Sequence, residues 1–360
     1  MKVTRLFIIV VILCSCIACN KKPEELFEEE KSGVVLICNE FYYDISLANG
    51  EHIYFTGLDA QGNIEGLTSN LEEIKKNPNM LNGTGFFIDH HGRILTNRHV
   101  VAPQVDKDAV RKNLNVLIEG YAEYIESLQD SMSQRYNAIQ EYARQNMYED
   151  EYGDTHTNMD EYEVSELRQE IQNLQEQYSE AQELKNEIRS NVLGYNFTVQ
   201  LHSQFGIAYD GSNINKWSDF MKTPCELQKV SSDQETDLAL LQLKSKATPE
   251  DKYVFDYMLF QPNIDEGLEI NQSLYMIGYN HGVELAKTNR GINAQFTSGT
   301  MTQKPDGNRI LYSIPAMPGS SGAPILDSKG RLVAVNFAGC NGSDNFNFGI
   351  PMMRIVTFLK

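Results

Sequence analysis

The feature that most constrains this fold is a change of hydrophobic period in the middle of the chain. Between residues 104 and 191, apolar side chains recur every three or four positions, as on one stripe of an α-helix. The first stretch contains Val110, Leu114, Leu117, Tyr121, Tyr124, Leu128, Met132, Tyr136 and Ile139. The second contains Val164, Leu167, Ile171, Leu174, Tyr178, Ala181, Leu184 and Ile188. A polar segment over 148–160 separates them, so the spacing predicts two long helices folded back as an antiparallel coiled-coil hairpin.

Segments on both sides of this region have the composition of short β-strands. They are rich in β-branched and aromatic residues, and glycine, asparagine and aspartate separate them. Asn49-Gly50 marks a hairpin turn on the N-terminal side, and the strand pattern returns after Asn191. Many short strands separated by turns predict a β-sandwich or a β-barrel. The sequence therefore indicates a mainly β protein with a helical insertion.

The first nineteen residues have the pattern of an export signal. A basic start precedes the apolar run 6–13, which is too short to cross a bilayer as a helix. Ala18-Cys19, followed by polar residues, resembles the lipobox of bacterial lipoproteins, in which the cysteine becomes lipid-modified. Cys16 is the alternative lipidation site, and an ordinary signal peptide is the alternative to both. The resemblance implies an extracytoplasmic protein that a lipid holds to a bacterial membrane. Residues 20–32 are polar and predict a flexible tether.

Charge excludes some partners. The chain has 49 acidic and 31 basic residues, a net charge of −18, so we expect no binding of nucleic acid, which requires a basic surface. About 20 acidic and about 8 basic residues lie within 104–191, so most of the net charge belongs to the predicted hairpin. We interpret its polar side as solvated, because the acidic residues near Asp150 lack the spacing of a calcium-binding loop. The apolar stripes pack against each other or bind a partner, which includes a second copy of the chain.

Three short motifs follow one another along the chain. They are GTGFFID with GRILTNRHVV within 83–101, TDLALL at 236–241 and PGSSGAP at 318–324. They resemble, in this order, the His, Asp and Ser motifs of bacterial trypsin-like serine peptidases, including the HtrA-type proteases. The resemblance covers about 33–100 and 192–360. It implies two antiparallel β-barrels of the chymotrypsin-like fold.

The resemblance also implies a catalytic triad of His99, Asp237 and Ser321. A serine hydroxyl is a poor nucleophile and needs a base, the role implied for His99, while Asp237 orients the imidazole. The backbone N–H groups of Gly319 and Ser321 would form the oxyanion hole. The function expected is a serine endopeptidase that hydrolyses polypeptides through an acyl-enzyme intermediate, without a cofactor. The alternative is a catalytically silent surface-binding protein that presents the hairpin to a partner.

Spacing between the motifs locates the insertion. His99 and Asp237 are 138 positions apart, and removing the 88 residues 104–191 leaves 50, an ordinary separation for this family. We therefore expect the first barrel to comprise 33–103 and 192–250. The second barrel is expected over 251–360, with no PDZ domain after it.

Several residues depart from the family pattern or suggest other sites. Ser320 stands where zymogen-type members have aspartate, which argues against activation by N-terminal cleavage. Pro315 stands where trypsins carry an acid, so we expect an apolar residue before the scissile bond, beside a pocket wall formed by 337–339. His90-His91 could suggest a metal site, but adjacent histidines at a turn point in opposite directions, and we predict none.

The cysteines leave the disulfide pattern open. If Cys19 is lipidated, Cys38, Cys225 and Cys340 remain in the mature chain. An extracytoplasmic location permits one disulfide among these three, and their number alone does not say which pair forms it.

Overall fold

The described residues cover almost all of the chain after its N-terminal segment. The structure, a computed structural model, describes residues 22–48, 50–192, 197–233, 235–340 and 343–360. The predicted signal peptide and the lipidation sites Cys19 and Cys16 lie outside them. Within these ranges, no helix combines the length and the apolar character that crossing a membrane requires.

Strands outnumber helices in the part of the chain that the structure describes. The α-helices of the described residues are α1 (Pro23–Glu30), α2 (Leu71–Lys76), α3 (Arg98–Val101), α4 (Lys107–Gln145), α5 (Glu161–Val192), α6 (Val283–Ala286) and α7 (Met352–Leu359). The strands are β1 (Val34–Ser46), β2 (His52–Phe55), β3 (Gly57–Leu58), β4 (Ile64–Glu65), β5 (Asn79–Phe87), β6 (Arg93–Thr96), β7 (Met147–Glu149), β8 (Thr155–Thr157), β9 (Thr198–Tyr209), β10 (Pro224–Val230), β11 (Ala239–Leu243), β12 (Ser273–Gly278), β13 (Lys287–Thr288), β14 (Gly291–Ile292), β15 (Gln295–Gln303), β16 (Ile310–Tyr312), β17 (Pro324–Asp327), β18 (Leu332–Cys340) and β19 (Ser343–Pro351).

These elements form two compact units. The barrel unit contains the described part of Met1–Phe41 together with Pro78–Gln104 and His202–Lys360. The hairpin unit contains Tyr42–Asn77 and Val105–Leu201.

Two antiparallel β-barrels make up the mainly β part of the fold. In the first, the strand order is β1-β5-β6-β11-β10-β9, and a further pairing of β1 with β9 closes it, while β2 extends β1. The second is a closed barrel with the order β12-β15-β16-β19-β18-β17. This arrangement confirms the predicted chymotrypsin-like fold class with its helical insertion.

The start of β1 shows how the core of the barrel unit is built. Val34 to Cys38 are all buried, and successive side chains enter two different hydrophobic clusters. Val34 and Leu36 pack with Phe86 and with residues of the second barrel, while Val35 packs with residues of the first barrel only. A strand that is covered on both faces needs a continuous apolar run instead of strict alternation. This explains the sequence VVLIC at 34–38.

The hairpin unit is built around α4 and α5. The two helices lie antiparallel, and a short β7–β8 pair joins them where the sequence predicts only a polar turn. At the base of α4, the Asn113 side chain donates to the carbonyl oxygen of Gly62 (2.8 Å) and accepts from the N–H of Ile64 (3.1 Å). The hairpin therefore packs against the β3–β4 region of its own unit.

The predicted apolar stripe of α4 is partly wrong. The buried residues are Val110, Leu114, Ile118, Ala122, Ile125, Gln129 and Ile139. Leu117, Tyr121 and Tyr124 are instead 49%, 50% and 57% exposed. Both sets satisfy a spacing of three and four because the apolar arc of α4 is wider than one seam. Tertiary packing, which the local spacing does not specify, selects between them.

The predicted tether is also corrected. Residues 23–30 form α1, in which Pro23 occupies the first turn, and Leu26 and Glu30 are buried. Phe27 lies beside the Phe296 ring, with 5.4 Å between the ring centroids. Polar composition alone predicts disorder, but Leu26 is buried in the core of the barrel unit and Phe27 packs against the same cluster.

Candidate active site

His99 lies on a one-turn helix directly after β6. Val100 and Val101 of this helix are buried in the first barrel and fix its orientation. The imidazole is consequently directed outwards, and 44% of the His99 side chain is exposed. Its Nδ1 lies 2.5 Å from Asp237 Oδ2, and its backbone N–H donates to Asp237 Oδ1 at 2.9 Å. One carboxylate therefore holds both the backbone and the ring of this histidine.

Asp237 is itself held by the segment that carries His99. Its backbone oxygen accepts from the Asn97 side chain (2.8 Å) and from the N–H of Arg98 (3.2 Å). The carboxylate is only 13% exposed. With Nδ1 directed at the carboxylate as a donor, Nε2 remains available to accept a proton.

The third motif forms a tight turn between β16 and β17. Gly319 and Gly322 adopt φ values of +96° and +89°, which favour glycine. Ser320 is buried, and its Oγ donates to the carbonyl oxygen of Met317 (2.7 Å) and accepts from the Asn336 side chain (3.2 Å). Ser321 is half-buried, and its hydroxyl makes no hydrogen bond to any described residue. The turn therefore presents Ser321 and uses Ser320 internally.

Thr84 of β5 docks this turn on the first barrel. Its N–H donates to the carbonyl oxygen of Ser321 (2.8 Å), and its Oγ1 donates to that of Gly319 (2.8 Å). A Cβ added to Gly322 would lie 3.2 Å from the backbone nitrogen of Asn97, two residues before His99. The serine turn thus lies against the segment that leads to the histidine.

The backbone N–H groups of the turn differ in whether they are occupied. The N–H groups of Ser320 and Gly322 donate to the carbonyl oxygens of Met317 (3.0 Å) and Asn336 (2.8 Å). The N–H groups of Gly319 and Ser321 donate to no oxygen of the described residues, so these two stay available. Free N–H groups on a tight turn are suited to stabilising a developing negative charge.

A cavity opens beside the histidine. It has a volume of about 290 Å³, and its lining consists of Arg98, His99, Ala102, Gln104, Asp237 and Phe337. Phe337 is the predicted wall residue that the structure brings next to His99, while the side chains of 338 and 339 lie outside the described set. Pro315 is exposed.

The remaining candidate residues are the histidines considered for a metal site and the cysteines considered for a disulfide. His90 and His91 are both exposed, and within the described ranges no three His, Cys, Asp or Glu side chains are grouped closely enough to hold a metal ion.

Cys38 and Cys225 are free and buried, so they do not pair with each other. Burial raises the pKa of each thiol to about 12.

Three residues that support the site could not be identified from the sequence alone. Thr84 and Asn97 lie inside the first motif, but nothing in their local pattern shows that they bind Ser321 and Asp237. Asn336 is 2% exposed and accepts from the Tyr312 hydroxyl (2.8 Å) while it holds Ser320. A polar residue within the apolar strand LVAVNFAG is the only signal for it.

Part of the chain matches a known protein family. Residues 203–335 match the family model described as the trypsin-like peptidase domain. This part of the chain is therefore similar to trypsin-like peptidase domains. The match includes Asp237 and Ser321, whereas His99 precedes it, on the other side of the helical insertion.

Two plant proteins and one solved structure are similar to the chain. Protease Do-like 5, chloroplastic, of Arabidopsis thaliana is 29% identical over 136 residues, which is 35% of this chain and 39% of that protein. Protease Do-like 1, chloroplastic, of the same plant is 26% identical over 140 residues, 36% of this chain and 29% of that protein. The chain thus matches less than half of either relative's length. The crystal structure of the serine endoprotease from Yersinia pestis has a TM-score of 0.42 at 13% identity, and the match covers 94% of this chain and 65% of that one.

Proposed function

We propose that this chain is a serine endopeptidase with His99, Asp237 and Ser321 as its catalytic triad. The observation that carries the proposal is the double contact of Asp237 with the ring and the backbone of His99. The Ser321 turn, bound to Thr84, and the match to the trypsin-like peptidase domain support it.

The residues act in a definite order. Ser321 Oγ attacks the carbonyl carbon of the scissile bond and transfers its proton to Nε2 of His99. The N–H groups of Gly319 and Ser321 stabilise the resulting oxyanion, and Asp237 stabilises the imidazolium. Collapse breaks the C–N bond, and the amine leaves with the proton from His99. Water then attacks the acyl-enzyme with His99 again as the base, which releases the carboxylic acid and regenerates the serine.

Labelling with a fluorophosphonate probe tests this proposal. Wild-type protein should be labelled and should cleave a casein-type substrate, whereas Ser321→Ala should lose both properties and keep its thermal unfolding temperature. A wild type that is folded but unlabelled would contradict the triad.

We also propose that substrates carry an apolar residue before the scissile bond. The exposed Pro315 replaces an acid in this region, and the Phe337 ring lines the cavity beside His99. Cleavage of a mixed peptide library, read by mass spectrometry, should show apolar residues at that position. A preference for lysine or arginine would exclude this pocket chemistry.

Lipid anchoring is the proposed basis of localisation, at a bacterial membrane and outside the cytoplasm. The lipobox-like sequence before Cys19 supports the proposal of a lipid anchor. Metabolic labelling with a clickable fatty acid should mark wild-type protein and be lost in Cys19→Ser. Labelling that is lost only in Cys16→Ser would assign the alternative cysteine, and an unlabelled wild type would contradict the anchor.

A groove on the hairpin favours a binding role as the second candidate function. It has a volume of about 440 Å³ between α4 and α5, and its lining consists of Met132, Ser133, Tyr136, Asn137, Leu174, Gln175 and Tyr178. Arg135 is paired with Glu170 (2.7 Å), and Lys185 is paired with Glu126. Each pair uses one basic and one acidic group, so the hairpin keeps its excess of about 20 acidic over about 8 basic residues. The groove itself combines apolar and aromatic side chains with amide and hydroxyl groups.

The negative charge of the hairpin favours one class of binding partner. A second acidic hairpin would be repelled, whereas a cationic polypeptide segment with apolar side chains complements both the groove and its surroundings. Fluorescence anisotropy should show salt-sensitive binding of an amphipathic Lys/Leu peptide, weakened in Tyr178→Ser. Trp217→Ser, a change of similar size in the barrel unit, is the control. Equal binding by all three proteins would exclude the groove.

A further inference from the structure

The C-terminal helix α7 contacts both barrels. Its inner face, Met352, Ile355 and Phe358, is buried in the same hydrophobic cluster as the second barrel's strands. Arg354 of this helix reaches the loop between β10 and β11 of the first barrel. That loop contains Asp237.

Arg354 makes the first of these contacts. Its Nη1 donates to Thr236 Oγ1 (3.0 Å), and the same atom lies 3.5 Å from the carboxylate of Asp233. Its Nη2 donates to Asn308 Oδ1 (2.6 Å) and lies 3.8 Å from the Glu235 carboxylate. The side chain is only 19% exposed, so solvent screens these contacts less than it would on an open surface.

Lys229 makes the second contact, at the other end of the helix. Its Nζ donates to the carbonyl oxygen of Phe358 (2.5 Å) and lies 5.0 Å from the centroid of that ring. A cation at a helix C-terminus also interacts favourably with the helix dipole. Because Lys229 belongs to β10, α7 is tied to the β10–β11 hairpin at two points.

The described residues of this loop are also hydrogen-bonded to one another. Displacing one of them would therefore displace its neighbours. Thr236 Oγ1 donates to Asp233 Oδ2 (2.8 Å), and the Thr236 carbonyl accepts from the N–H of Leu238 (2.7 Å). The N–H of Ser231 closes the loop on the carbonyl of Leu238 (2.9 Å). Asp237 lies between Thr236 and Leu238, and both neighbours are therefore fixed.

We propose that Arg354 is a positioning residue for Asp237. It holds Thr236 so that the carboxylate of Asp237 meets both the ring and the backbone of His99. The inference rests on the proposed triad. It adds that the alignment of the first barrel's acid depends on a helix of the second barrel, far away in sequence.

The test compares Arg354→Ala with a matched control. Arg331→Ala removes another second-barrel arginine, one that pairs with Asp327 (2.6 Å) away from this loop. We expect Arg354→Ala to lower kcat by about 10- to 100-fold, since small misplacements of catalytic groups have effects of this size, with little change in KM. Arg331→Ala should keep its kcat. Thr236→Val removes the loop hydroxyl that accepts from Arg354 without altering α7. It should lower kcat in the same direction and serves if Arg354→Ala does not fold.

A double-mutant cycle separates positioning from general support. If Arg354 acts through Asp237, Arg354→Ala should reduce the labelling rate in wild-type protein but cause no further loss in Asp237→Asn. An equal loss in both backgrounds would overturn the proposal, because it would mean that Arg354 supports the fold and not Asp237.

Hydrogen exchange provides a result that does not depend on activity. The amides of Ser231 and Leu238 should exchange faster in Arg354→Ala than in wild type or in Arg331→Ala. Unchanged exchange would overturn the positioning role even if wild type is active. Faster exchange in a protein whose wild type cannot be labelled would support the link from Arg354 to this loop and would place the failure in the proposed triad.

Discussion

The backbone N–H of Thr84 donates to the carbonyl oxygen of Ser321 across 2.8 Å, which joins a strand of the first barrel to the serine turn of the second. The residues are far apart in sequence, and the Thr84 side chain adds a bond to Gly319 in the same turn. Thr96 Oγ1 donates to the carbonyl oxygen of Thr84 (2.7 Å) and completes the contact. The orientation of the proposed oxyanion hole therefore depends on a threonine of the other barrel.

Substituting Gly322 with alanine should break this contact. The new Cβ would lie 2.1 Å from the carbonyl oxygen of Thr84 and 2.5 Å from Thr96 Oγ1, so the turn must shift. Gly211→Ala is the control, because Gly211 has a similar φ of +81° with nothing within 4 Å of an added Cβ. We expect Gly211→Ala to cost about 1–2 kcal/mol of unfolding free energy from backbone conformation alone. Gly322→Ala should cost more in urea denaturation and should abolish probe labelling; equal losses in the two variants would contradict the packing.

Substituting Ser320 and substituting Ser321 should have clearly different effects on activity. The Ser320 hydroxyl is occupied by Met317 and Asn336, so Ser320→Ala should lose about 1 kcal/mol of stability and retain substantial peptidase activity. Mass spectrometry of the fluorophosphonate adduct should locate the label on Ser321 in this variant. A label on Ser320 of the wild type would reverse the assignment.

The thiols of Cys38 and Cys225 should be unreactive in the folded protein. Both are buried, and burial raises the pKa of each to about 12, so the reactive thiolate is scarce at neutral pH. Iodoacetamide at about pH 8 should leave both unmodified in native protein and alkylate both in urea, as measured by peptide mass spectrometry. Rapid alkylation of either thiol without urea would contradict its burial.

Asp265 should make stability decrease as pH rises. Burial raises the pKa of its carboxyl from the ordinary 3.8 to about 6, although the N–H groups of Met352 and Met353 oppose the shift. The folded state therefore holds this proton more firmly than the unfolded state does. The stabilising contribution is complete below the ordinary pKa and is lost as pH rises through about 6.

Urea denaturation of wild type and Asp265→Asn across this window isolates the effect from other carboxylates. The unfolding free energy of wild type relative to the variant should fall between about pH 4 and about pH 7. A difference that stays constant or rises with pH would show that the carboxyl titrates normally in the fold.

Local sequence determined the class of this protein and the positions of its motifs. Period-two strands, a helical period over 104–191 and glycines in the serine turn each reflect constraints that act within a few residues. The triad prediction depended on the same local motifs and on their order. These features were accessible because backbone conformation and side-chain periodicity are local properties of the chain.

Tertiary structure decided which side chains are buried and which distant residues make contact. Ile118 and Ile125 are buried, and Tyr121 and Tyr124 are exposed, although both pairs fit one helical stripe. Polar composition at 20–32 did not reveal the docked helix α1. The contacts of Thr84 with Gly319 and of Arg354 with Thr236 join residues 235 and 118 positions apart. Such hydrogen bonds form only after the barrels have packed and excluded water, so nothing in the neighbouring sequence of either partner specifies them.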